Sequence, residues 1–185
     1  QTLTSRTHLT MRAWLALSLL TTSLAAQNIV SVDVTAAPGV VDLGPGYTAE
    51  PAQLYGGTLP GPVIRATVGD TVRLGMDGIQ GISRPEIANG QEFIYEWDNL
   101  AAGTYWYHPH SDQHHQLNSG LYGLLIVDPP STQPDPVSDV DEVIVLDDWD
   151  STITGGTFFG HLINGRTSDG QTALSIQTGQ TLRLR

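Results

Sequence analysis

Short runs of alternating apolar and polar residues recur from residue 29 onward. In Ile29-Val30-Ser31-Val32-Asp33-Val34 the three valines fall on every second position, the period of a strand with one face buried. Leu54-Tyr55-Gly56-Gly57 leads into a Leu59-Pro60-Gly61-Pro62 turn, which enters an apolar strand over residues 63–68. Gly69-Asp70 marks another turn before a strand that begins at Thr71-Val72-Arg73-Leu74. Strands of similar length are expected over 93–97, 104–108 and 122–127. Strands this short, punctuated this often, predict an all-β fold, a β-sandwich.

The pattern changes twice. Residues 129–141 hold four prolines among Ser, Asp and Gln, the composition of an interdomain linker. This sets a first domain at 27–128 and a second, truncated one at 142–185, with strands expected at 143–146, 162–165 and 182–185. At the other end, Arg12, the apolar run 13–20 and the small residues of 23–26 have the layout of a secretory signal over 11–26. Residues 1–10 read as non-native upstream sequence. The apolar run is too short to span a bilayer, so the mature chain is expected to be secreted or periplasmic and free of the membrane.

Composition supports a packed core, with 39% hydrophobic and 15% charged residues, and twenty glycines and eleven prolines suit a turn-rich β protein. Nineteen acidic against eight basic residues give a net charge of −11. Such a surface repels phosphate backbones, and no basic stripe offers a seat for anionic lipid; nucleic acid and membrane are excluded as partners. No cysteine is present, so disulfides, thiolate metal sites and a cysteine-ligated blue copper are excluded within this chain. Metal chemistry here has to come from histidine.

Two histidines carry that chemistry. In Gly103-Thr104-Tyr105-Trp106-Tyr107-His108-Pro109-His110, positions 108 and 110 are two apart on an expected strand and share a face, roughly 6–7 Å apart along the backbone. That spacing suits one imidazole on each of two neighbouring ions, and imidazole suits copper. Alone, the pair would serve zinc or iron equally, or be a polar rim.

The wider pattern is more specific. Leu59-Pro60-Gly61-Pro62-Val63-Ile64-Arg65, Val68-Gly69-Asp70-Thr71-Val72, Met76-Asp77-Gly78, the run 103–110 and Gly120-Leu121-Tyr122-Gly123 together resemble the first domain of the laccase-like multicopper oxidases, in the same order. Leu146-Asp147-Asp148-Trp149 and Leu162-Ile163-Asn164-Gly165-Arg166 look like the opening of that family's second domain. The resemblance implies a cupredoxin-like Greek-key β-sandwich and a copper cofactor. It implies one-electron oxidation of a small reducing substrate (a phenol, an aromatic amine or a metal ion) and reduction of O2 to water at a trinuclear copper cluster. His108 and His110 match the motif that ligates the two paired coppers. Asp77 matches a carboxylate that assists proton delivery to the cluster; without the resemblance it reads as a turn residue before Gly78.

The chain departs from the family at one point. A His-Trp-His-Gly strand is expected before Met76, yet Leu74 runs through Gly75 directly into Met76, and no histidine lies between His8 and His108. An internal segment about a strand and a loop in length is missing from the family's pattern. Two imidazoles cannot hold three coppers, so this chain alone is expected not to reduce dioxygen. A second reading, of a different class, is a non-catalytic copper-binding module or a degenerate scaffold. His114, His115 and His161 are expected as surface residues, the acidic run Asp147, Asp148 and Asp150 as solvated turn residues, and Trp97, Trp106 and Tyr107 as core.

Overall fold

The computed structural model describes residues 28–77, 91–110 and 112–185. The expected export signal and the segment before it lie outside the described residues. In chain order the strands are β1 (Ile29–Val34), β2 (Ala36–Val41), β3 (Glu50–Tyr55), β4 (Val63–Thr67), β5 (Thr71–Asp77), β6 (Glu92–Trp97) and β7 (Gly103–Tyr107). A short helix α1 (Gln113–Asn118) precedes β8 (Gly123–Asp128), β9 (Val140–Glu142), β10 (Leu146–Asp150), β11 (Phe159–Ile163) and β12 (Leu182–Leu184).

Two three-stranded sheets form the sandwich, ordered β1-β5-β6 and β4-β8-β7, each with one parallel and one antiparallel pairing. The order shows crossovers between sheets in place of a simple meander. Alternation in the sequence turns into alternation in burial: Val34 closes a strand whose even positions face inward, and Ile64 and Ala66 do the same in β4. These residues meet Tyr55, Val72, Leu74, Tyr107 and Leu121 in one apolar core. At about 25 cal/mol per Å² of apolar surface removed from water, this burial is the main force joining the sheets.

Tyr107 fixes the edge of that core next to the histidines. Its hydroxyl donates to the Pro62 carbonyl at 2.7 Å. Its ring occupies the space where a side chain at residue 123 would sit, since a Cβ there would lie 2.2 Å from the tyrosine oxygen. Glycine at 123 is a packing requirement.

A second core lies beside the first. The β2–β3 hairpin and the β10–β11 hairpin bury Val41, Leu43, Ala52 and Leu54 against Trp149 and Leu162. Residues on both sides of the proline-rich stretch therefore share one apolar interior. Glu50, only 5% exposed, ties them together: its carboxylate accepts from the Ser151 hydroxyl at 2.8 Å, the Thr157 amide at 2.8 Å and the Thr157 hydroxyl at 2.9 Å. These donors, led by the Thr157 amide, hold Glu50 ionised and its pKa below the usual glutamate value. β12 pairs in parallel with β9. Around that pair Asp141 takes Arg185 at 2.9 Å and Arg65 at 3.4 Å, and Arg65 also grips Asp128 at 2.6 Å.

Some expectations need correction. The strand expected over 143–146 is displaced: β9 ends at Glu142 and β10 starts at Leu146, and between them the Val145 amide donates to the Asn164 side-chain oxygen in place of a strand partner. The acidic run is strand, not turn. Asp148 and Asp150 stand on one face of β10, while Asp147 and Trp149 face inward. Helix α1 was not foreseen; its last carbonyls cap onto Ser119 and Gly120, whose φ of 115° is open chiefly to glycine.

Candidate metal centre

The histidine pair leaves the end of β7. The strand stops at Tyr107 and the chain continues through His108, Pro109 and His110 outside it. Pro109 has no amide hydrogen for a ladder, which accounts for the stop. Alternation nonetheless persists: Tyr107 and Pro109 are buried, while His108 is half-buried and His110 exposed.

Trp106, His108 and His110 consequently lie on one face as a column of rings. His108 and His110 have centroids 4.8 Å apart and planes only 15° from parallel. Trp106 lies over the other side of His108, centroids 4.1 Å apart and tilted 30°. Trp106, at 54% exposed, is thus not core as the sequence suggested, nor is Trp97 at 37%; Tyr107 is. The signal for this was present in the sequence, since 106, 108 and 110 have the same parity.

One nitrogen of His108 is already assigned. Its Nδ1 lies 3.0 Å from the Pro109 carbonyl oxygen, which can only accept, so Nδ1 carries the hydrogen and Nε2 presents its lone pair. Burial pushes the His108 pKa below the usual histidine range, keeping the ring neutral and able to ligate at neutral pH. With metal–imidazole bonds of about 2.0 Å, two rings placed 4.8 Å apart can each hold a separate ion.

Of the other expected residues, Asp77 ends β5 opposite Glu92 in register, and Gly78 lies outside the described residues. His114 and His115 are exposed on α1, as expected for surface residues, with the His114 Nδ1 3.3 Å from the Asn118 amide nitrogen. His161 is exposed on β11, 2.5 Å from Asp148. Asp147 departs from the solvated turn expected for it: it is half-buried and accepts from the Tyr122 hydroxyl at 2.7 Å. Among the described residues, no group of three or more His, Asp or Glu side chains is placed to hold a metal ion.

Two facing sheets with crossovers between them define a cupredoxin-like β-sandwich protein, bearing a paired-imidazole face at one strand end. The sequence profile of the multicopper oxidases matches residues 73–132. The multicopper oxidase MmcO of Mycobacterium tuberculosis is 30% identical over 84% of this chain and 42% of its own length. Copper resistance protein A of Escherichia coli is 33% identical over 53% of this chain and 19% of its own. The fold matches the blue copper oxidase of Nitrosomonas europaea with a TM-score of 0.72 at 21% identity, covering 85% of this chain and 60% of that one. The chain belongs to the multicopper oxidase family, and it spans less than half the length of these two relatives.

The match to copper resistance protein A is longer than the part of this chain it covers. It runs over 120 aligned positions yet takes in 53% of 185 residues, about 98, so about 22 positions have no counterpart here. Taken together they amount to the length of a strand and a loop. In the structure β5 runs unbroken from Thr71 through Gly75 to Asp77, across the point where the family's first histidine motif is expected.

Proposed function

We propose that this chain contributes His108 and His110 to two adjacent copper ions of an exported oxidase, one imidazole to each. The observation that carries this reading is the near-parallel stacking of the two rings at 4.8 Å on one face. An imidazole donor set fits copper, which tops the divalent series for nitrogen ligands. Copper bound there would supply the redox chemistry by which electrons from a small reducing substrate reach dioxygen. The chain's own residues have a positioning task. The Pro109 carbonyl fixes the His108 tautomer, Trp106 stacks over that ring, and Tyr107 anchors the strand end in the core. Asp77 is proposed to aid proton delivery, on the family resemblance alone.

We place the first domain at 27–128 and the second from 142, joined by 129–141, with residues 11–26 removed on export. The trinuclear cluster needs more imidazoles than the described residues bring together, which favours a chain that binds copper without reducing dioxygen by itself. The test is a calorimetric titration of metal-free chain with Cu(II) at pH 7. Two ions per chain are expected at the histidine pair. One ion per chain, or none, contradicts the proposal.

A further inference from the structure

A cavity of about 640 Å³ opens between the first sandwich and the β10–β11 hairpin. One wall is the Trp106 ring, more than half exposed. Leu117 of α1 and Leu162 and Ile163 of β11 add apolar surface. The polar groups gather on the β10 side, where Asp147 is held by the Tyr122 hydroxyl at 2.7 Å and Asp148 lies 2.5 Å from His161. Among the described residues, no lysine or arginine lines the cavity.

That combination selects a chemical class. Apolar walls and an indole face favour a hydrocarbon or aryl body. Two carboxylates, with the imidazole of His161 on Asp148 as the basic group beside them among the described residues, favour a positive head group, and the chain's charge of −11 adds to that preference. Among the described residues each carboxylate has one side-chain partner, Tyr122 for Asp147 and His161 for Asp148, and a carboxylate has two oxygens and about four acceptor positions, so capacity for an incoming N–H remains. An ammonium close to the Trp106 ring gains a further cation–π attraction. Anions are disfavoured by the same arrangement.

We propose that the cavity is a binding site for a small amphipathic organic ammonium ion, its apolar body against Trp106, Leu117 and Leu162 and its ammonium toward Asp147 on the inward face of β10, with Asp148 at the exposed rim. The site needs no metal, so its occupancy is independent of copper at His108 and His110. Because Trp106 stacks on His108, a bound ligand sits one ring away from the histidine pair.

The test titrates the metal-free chain with 2-phenylethylammonium, following the Trp106 indole N–H signal by NMR. 2-Phenylethanol and phenylacetate serve as neutral and anionic analogues of the same size. The ammonium is expected to bind at least tenfold more tightly than the alcohol, with no binding of the carboxylate and a shift of the Trp106 signal. Asp148→Asn, at an exposed position that leaves the fold intact, is expected to weaken the ammonium several-fold and leave the alcohol unchanged. Asp147→Asn should act in the same direction. Equal affinity for the three probes, an unmoved Trp106 signal, or no loss in Asp148→Asn would each overturn the proposal. None of these results bears on copper binding, which is measured without the probe.

Discussion

Replacing His108 and His110 together with alanine is expected to lower the affinity of the chain for Cu(II) by at least about 100-fold, since removing even an outer-shell partner of a metal ligand costs 10–100-fold. The single variants are more informative. On the proposed reading each ring, 15° from parallel with its neighbour at 4.8 Å, addresses its own ion. His108→Ala and His110→Ala should each remove one ion and leave the other. Convergence of both rings on one ion would make either single variant as damaging as the double. His114→Ala and His115→Ala, at exposed positions of α1, should leave binding at the pair unchanged. Equilibrium dialysis against Cu(II) distinguishes these outcomes. A double variant that binds like the parent removes both residues from the site.

Trp149→Ala is expected to destabilise the chain by about 3–5 kcal/mol, the usual cost of deleting a large buried aromatic. Trp149 is fully buried and packs with Leu43, Leu54 and Leu162, so the cavity left behind is walled by both hairpins. The effect should therefore reach β2–β3 as well as β10–β11. Hydrogen exchange reads this directly: amides of Ala52 and Leu54 should lose protection together with those of β11. Loss confined to β10–β11, with β2–β3 unchanged, would show that the two hairpins unfold separately. Trp149→Phe should cost less, because it keeps most of the ring and the indole nitrogen meets no hydrogen-bond acceptor among the described residues.

Much of the sandwich was legible because its strands obey a period of two. β1, β4, β6 and β8 fall within a residue or two of their sequence patterns, and the glycine and proline turns mark their ends. The same parity placed His108 and His110 on one face, although β7 ends before both. What escaped was set by distant partners. Nothing near Glu50 in the sequence announces that its carboxylate will receive Ser151 and Thr157, about a hundred residues away. Asp147 read as a turn residue because a short acidic run resembles one. Its half-buried state comes from the Tyr122 hydroxyl, 25 positions earlier. As an aromatic residue on an expected strand Trp106 reads as core, whereas the face it shares with the histidines is the exposed one.

The paired-ion claim is tested most directly by electron paramagnetic resonance of the chain loaded with two equivalents of Cu(II). Ions held by separate imidazoles at His108 and His110 lie within several ångströms of each other, close enough for their unpaired spins to interact. The account predicts a broadened spectrum with a half-field transition that vanishes in either single alanine variant. A spectrum of isolated, magnetically dilute Cu(II) at full loading would contradict it.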